Sequence, residues 1–165
     1  VVFTPWVEQN SDTADGWRGE AAVGYKRGFS IGERSVAALQ ASALWVSHPD
    51  VDCGEGGLEV RGLAGRSIGQ RGFVNVEIAS RRLEGGCGGE RIDLTLGHRP
   101  GDDWLMLAQV FVDDAGGPRE GVKAQLAIAR FGSNGRGLQL GIRARLDGDD
   151  AEPAFTVSLW RRPWD

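Results

Sequence analysis

Ionisable side chains fall at every second position along much of this chain, with apolar residues between them. Arg18, Glu20 and Lys26 share one parity, and so do Glu59 with Arg61, Glu77 with Arg81, Arg91 with Asp93, and Arg143 with Arg145, while Lys123 alternates with Val122 and Ala124. Eight of these twelve are basic and four acidic. Gln40, Asn75, Thr95, Gln109, Gln125 and Gln139 add neutral hydrogen-bonding groups to the same pattern. Gathered on one surface, such groups have two uses. They can neutralise one another as a cross-linked ionic filling, or their basic excess can favour anions, as rings of arginine and lysine do in selective pores.

Other candidate chemistry is sparse. His48-Pro49-Asp50 beside Ser47 is the one grouping with the residue types of acyl transfer. Adjacent residues in a strand point to opposite faces, so Ser47 and His48 are not expected to meet, and no catalytic residue is assigned. His98, the second histidine, precedes Arg99-Pro100 at an expected strand end. Two cysteines and two histidines at these spacings match no zinc pattern, and no metal ligand or cofactor is expected. Gly85-Gly86-Cys87-Gly88-Gly89 opens no helix and so is not a phosphate loop. Cys53 and Cys87 fall in connectors of one class, and a disulfide between neighbouring loops is expected for an exported protein.

The elements that position these residues follow from the apolar half of the pattern. Val74, Val76 and Ile78 alternate with Asn75 and Glu77, as Ile92, Leu94 and Leu96 do with Asp93 and Thr95. Leu126 and Ile128 are spaced likewise, as are Leu138, Leu140 and Ile142. A period of two marks β-strands with one apolar and one polar face. Ten strands are predicted, near 1–9, 17–28, 35–47, 57–67, 72–82, 90–98, 104–113, 121–131, 137–146 and 154–162. Most run to about ten residues, the length a tilted strand needs to cross a bilayer. Two stretches leave helix open as an alternative. Val36 to Leu44 is rich in alanine, and Trp104-Leu105-Met106-Leu107 is apolar without alternation. Pro5 fits poorly inside a ladder, which weakens the first strand.

The connectors divide into two kinds. Asn10–Gly16, Pro49–Gly56, Leu83–Gly89, Asp113–Glu120 and Asp147–Pro153 are longer and acidic, with Arg119 the one clear base. Ser30–Arg34, Ile68–Arg71, Arg99–Asp103 and Gly132–Arg136 are short and edged by arginine, with Pro100-Gly101-Asp102 and Ser133-Asn134-Gly135 as turn signals. In an up-and-down meander these two kinds lie at opposite ends.

Alternation alone does not say which face points inward. Long strands and asymmetric loops favour apolar residues outward, against lipid. So do the aromatics near strand ends: Trp17, Tyr25, Trp45, Trp104, Phe131, Phe155 and Trp160 are candidates for an interfacial girdle. The twelve ionisable residues then line a net basic lumen. The opposite arrangement, a soluble secreted β-barrel with an apolar ligand inside, is the alternative. A membrane-embedded hydrolase using His48 is a third.

The chain has 165 residues, which suits one domain spanning 1–165. Its net charge of −4 argues against nucleic acid as a partner. A start at Val1-Val2-Phe3 leads us to expect a removed secretion signal and possible further residues before it.

Phe73-Val74-Asn75-Val76-Glu77-Ile78-Ala79, Arg91 through Pro100, Trp104-Leu105 and Lys123-Ala124-Gln125-Leu126 resemble a group of small outer-membrane β-barrel proteins of Gram-negative bacteria without an assigned activity. The likeness runs roughly from Trp17 to the end. It implies an all-β, antiparallel up-and-down transmembrane barrel of about ten strands. It also implies location in the bacterial outer membrane, with lipid, lipopolysaccharide and the barrel assembly machinery as partners. It supplies no substrate, and a structural or narrow-channel role with passage or binding of a small solute is the expectation. The last strand of such barrels usually ends in an aromatic residue, whereas here Trp164 stands one residue short of the end.

Overall fold

The computed structural model describes residues 1–9, 17–47, 53–114, 121–147 and 153–161. It shows ten strands: β1 (Val2–Gln9), β2 (Trp17–Ser30), β3 (Ser35–Ser47), β4 (Gly56–Ile68), β5 (Gly72–Leu83), β6 (Gly88–His98), β7 (Trp104–Asp113), β8 (Gly121–Phe131), β9 (Arg136–Arg145) and β10 (Pro153–Arg161). A 3-10 turn, Glu84–Gly86, lies between β5 and β6. The order in the sheet is the order in the chain, and every pairing found is antiparallel and joins consecutive strands. Both stretches that left helix open are strands. The alanine-rich segment lies wholly in β3, because its alternate residues Ala38, Gln40, Ser42 and Leu44 are buried on one face while Leu39, Ala41 and Ala43 face out.

The sheet is curled. Arg81 of β5 reaches Glu20 of β2 at 3.0 Å, although three strand spacings separate these strands, roughly 14 Å on a flat sheet. The convex face carries the apolar parity expected outward: Val23, Leu39, Leu58, Val60, Ile78, Ile92, Leu94, Leu96, Leu126, Ile128, Leu138, Leu140, Ile142, Val157 and Leu159 are all exposed. Exposure reaches 70% at Leu126 and 86% at Phe155 and Leu159, values that hydrophobic side chains of a soluble domain avoid when contiguous.

The connectors 31–34, 69–71, 99–103 and 132–135 gather at one end, here the turn end, and the others join strands at the opposite end, the loop end, where the β5–β6 connector 84–87 is shorter than the sequence leads one to expect. Gly135 closes the β8–β9 turn at φ 73°, a conformation open to glycine and strained for other residues. At the loop end Cys53 and Cys87 are joined by a disulfide with Cα atoms 5.7 Å apart, tying the β3–β4 connector to the β5–β6 connector.

The concave face is layered in a way the alternation did not foretell. Toward the turn end it is apolar: Leu105, Leu107, Ala129 and Phe131 form a buried cluster, with Phe73 and Ala127 packed against it. Trp104 to Leu107 lacks alternation because β7 is apolar on both faces there. Two of the seven expected girdle aromatics stand on the concave side instead. Phe131 is buried in this layer, and Trp160, still 40% exposed, meets it edge-on at 6.4 Å. Tyr25, Trp45, Trp104 and Phe155 are exposed on the convex parity; the side chain of Trp17 lies outside the described residues. Glycine makes room for the layer. Gly97 pairs with Phe73 and Gly137 with Phe131, and each ring covers the space a Cβ would need. An aromatic lying over a cross-strand glycine fills the gap left by the missing side chain.

Gly97→Val is therefore expected to drive Phe73 from its place and cost about 1–3 kcal/mol, the range for overpacking. Gly62→Val, where open space surrounds the site, should stay within about 0.5 kcal/mol. Denaturant unfolding of the two variants under the same conditions checks the contrast.

Candidate functional site on the concave face

Between the apolar layer and the loop end, the concave face holds two polar networks built by strand parity. The first is ionic and spans β2 to β5. Asn75 Nδ2 donates to Glu77 Oε1 at 2.9 Å, and Arg61 Nη1 donates to Glu77 Oε2 at 2.9 Å. Arg61 also donates to Glu59 Oε1 through Nη2 at 2.9 Å and Nε at 3.2 Å. Arg81 Nη2 donates to Glu59 Oε2 at 2.8 Å, and both its Nη atoms reach Glu20, at 3.0 and 3.2 Å. Glu59, only 4% exposed, thus sits between two guanidiniums. On β6, Arg91 Nε donates to Asp93 Oδ1 at 2.7 Å.

The second network is made of amides and runs on to β9. Arg143 Nε donates to Gln125 Oε1 at 2.9 Å, Gln125 Nε2 to Gln109 Oε1 at 3.2 Å, and Gln109 Nε2 to Thr95 Oγ1 at 3.2 Å. Gln139 Oε1 accepts from Trp160 Nε1 at 2.7 Å, which anchors the turned-in indole. Phe111 joins the halves near the loop end: the guanidinium carbons of Arg91 and Arg143 lie 5.2 and 4.7 Å from its ring centre. Arginine offers a flat, weakly hydrated cation suited to stacking on an aromatic face.

Of the twelve ionisable residues singled out in the sequence, the structure joins Glu20, Glu59, Arg61, Glu77 and Arg81 in one network and Arg91 with Asp93 in a pair. Lys123 and Arg145 stand directly opposite each other on β8 and β9, with Arg143 two residues along, so three cations share one corner at the loop end. Arg145 Nε lies 3.0 Å from Asp147 Oδ1, just past the strand. Desolvation raises the pKa of Asp147, but hydrogen bonding from the Val122 backbone and from Arg145 outweighs it and holds this carboxyl below its usual range. Lys26 is exposed, toward the turn end, and outside the ionic network. Arg18 pairs in register with Glu8, and its side chain lies outside the described residues.

Three features escaped the sequence. Asp113, placed at the meeting of the seventh strand and an acidic connector, ends β7 and is buried on the concave face, so its carboxylate adds to the interior acids. Phe111 and the Leu105–Leu107 side of β7 are interior; the break in alternation at Trp104 was the available signal. His48, Pro49 and Asp50 lie outside the described residues. The Ser47 hydroxyl is engaged with backbone, accepting from the Gly19 N–H at 2.7 Å and donating to the Gly19 carbonyl at 3.2 Å, which ties β3 to β2. No group of three or more potential metal ligands occurs among the described residues.

Comparison with protein-family models, curated proteins and solved structures returns no match to this chain.

Because Arg81 is the link between Glu20 and Glu59, Arg81→Gln leaves two half-neutralised carboxylates behind. It should cost about 3–5 kcal/mol, the range for removing one partner of a buried pair. Adding Glu59→Gln in the same chain should recover part of that loss. A double-mutant cycle on unfolding free energy would show the coupling; simple additivity would mean that the two side chains act separately.

Proposed function

We propose that this chain is a small outer-membrane β-barrel of the Gram-negative type, closed by pairing β1 with β10 and carrying lipid on its convex face. The observation that carries this reading is the inversion of the faces. Large aliphatic side chains are exposed all along the convex parity, while Glu59, Arg81, Asp93, Gln125 and Gln139 are buried on the concave one. Lipid is the solvent that accepts the first set. Closure of β1 on β10 would satisfy the edge amides and carbonyls, which hydrocarbon cannot do. The outward-facing aromatics Tyr25, Trp45, Trp104 and Phe155 are suited to the interfaces, and the acidic, disulfide-tied loops to the cell exterior. Such a barrel would meet lipopolysaccharide there and would be inserted by the barrel assembly machinery.

Its role on this reading is structural, or to hold a small solute at the loop end, with no catalysis. A barrel of this size is mostly filled by side chains. Here the ionic network and the apolar layer of Leu105, Leu107, Ala129 and Phe131 would together fill the lumen. A narrow anion path is the second reading, favoured by the corner where Lys123, Arg143 and Arg145 meet. A soluble barrel holding an apolar ligand fits less well, since the concave face is mainly polar.

Protein refolded into detergent should migrate differently on a gel when boiled and unboiled, and should be absent from plain aqueous extract. A monodisperse protein in buffer without detergent, with no shift, would replace the membrane reading by the soluble one. In planar bilayers the filled barrel should give no steady conductance. A conductance that falls when Arg143 and Arg145 become Gln would establish the anion path instead.

A further inference from the structure

Among the described side chains, the turn end carries seven arginines that the concave networks do not use. Arg27, Arg66, Arg130 and Arg136 stand on the convex parity of β2, β4, β8 and β9, and Arg34, Arg71 and Arg99 lie in three of the four short turns. All seven are exposed. Their electrostatic setting differs from that of the interior. Arg61, Arg81 and Arg91 each lie within hydrogen-bond distance of a carboxylate, whereas none of these seven is ion-paired among the described residues. Only Glu33, Asp102 and Asp103 supply negative charge in the same turns.

Position makes this rim more than a solvated fringe. Arg136 is followed on the same face by Leu138, Leu140 and Ile142; Arg130 comes directly after Leu126 and Ile128; Arg66 continues the face of Leu58 and Val60. On β8 and β9 the apolar belt therefore ends in a guanidinium group, and on β2 and β4 one lies within the belt's last residues, just before Phe29 and Ile68. Two of these are laid against aromatic rings: Arg27 lies 5.5 Å from the centre of Phe29 and Arg130 5.4 Å from that of Trp104. Arg71 Nη1 donates to the Pro100 carbonyl at 3.1 Å, which holds it over the neighbouring turn. The opposite rim differs in sign: the exposed Glu55, Glu84, Glu90 and Asp114 outnumber the exposed Arg82 and Arg145.

A planar donor fork without a carboxylate, placed where apolar surface meets the polar zone, suits the bidentate geometry of a phosphate oxygen pair. We propose that this arginine rim is a binding surface for the phosphodiester headgroups of anionic phospholipid in the leaflet at the turn end. The proposal rests on the reading of the convex belt as lipid-facing. It adds that the bilayer is recognised by charge at one end as well as by burial of apolar surface.

The test uses the whole chain inserted into vesicles of phosphatidylcholine, alone or mixed with phosphatidylglycerol, and measures which lipid is enriched in the shell around the protein. Phosphatidylglycerol should be enriched roughly fivefold, as expected of arginines near an anionic surface, and high salt should reduce the enrichment. Replacing Arg66, Arg130 and Arg136 together by Gln should abolish most of it, while Arg82→Gln at the other end should leave it unchanged. Equal association of both lipids with inserted wild-type protein, or enrichment insensitive to salt and to the triple replacement, would overturn the proposal and leave the membrane reading standing. Failure of the wild-type chain to enter either vesicle would overturn both.

Discussion

A guanidinium taken out of bulk water must be met by carboxylates and acceptors, and Arg81 shows how much of this sheet follows from that demand. It is buried, and it is satisfied only because Glu59 lies one strand away and Glu20 three strands away. The second contact requires the sheet to curl. Curling in turn crowds the concave side, so that bulky residues there need glycine opposite them, as Phe73 has Gly97 and Phe131 has Gly137. The same crowding leaves room for Arg, Glu and Gln heads only where they interlock. Paired charges in a low-dielectric setting are weak contributors to net stability but costly to break, which makes them better at fixing one geometry than at deepening it.

Much of this was legible in the residues. Strand count, antiparallel order, the two classes of connector and the convex set of aliphatic residues all follow from a period of two interrupted by turn chemistry, because alternation records which solvent each face meets. The positions of Cys53 and Cys87 on the same end follow from counting connectors. What alternation cannot record is a strand apolar on both faces, since β7 from Trp104 to Leu107 then looks like a buried helix or strand equally. Strand-end aromatics are also ambiguous. Phe131 and Trp160 are the last inward positions of β8 and β10, and a boundary shifted by one residue would have put either ring on the girdle. Asp113 escaped for the same reason, lying at the junction of β7 with an acidic loop. Curvature is a property of contacts between strands distant in the sheet, such as Arg81 with Glu20, and no local pattern encodes it.

The concave face divides into three levels, each with its own chemistry. At the turn end, Leu105, Leu107, Ala129 and Phe131 exclude water. In the middle, Thr95, Gln109 and Gln125 pass hydrogen bonds from strand to strand without net charge. Toward the loop end, carboxylates and guanidiniums pair, and Phe111 lies against two of the cations. A gradient of this kind works against a water-filled path through a closed barrel, because an ion entering among the charges would lose its partners at the apolar level. On the proposed barrel reading, a solute would enter from the loop end, where Lys123 faces Arg145 across a strand pair. Like charges placed opposite each other are tolerated only with compensation nearby, and Asp147 supplies part of it.

The two rims complete the argument, because the same residue type is used oppositely on the two faces. Inward arginines on β4, β5 and β6 are tied to carboxylates on their own or other strands. Arginines at the turn end are tied to rings, to a carbonyl or to none of the described groups, and stand at or near the edge of the apolar belt. A protein that needed these outer cations only for solubility would gain as much from an even scatter of both signs. Concentrating arginine at one rim and carboxylates at the other gives the molecule an electrical direction along its strands. On the proposed outer-membrane reading, that direction would orient the barrel in a bilayer whose leaflets differ in charge, with the disulfide-tied loops held away from the phospholipid surface proposed for the arginines.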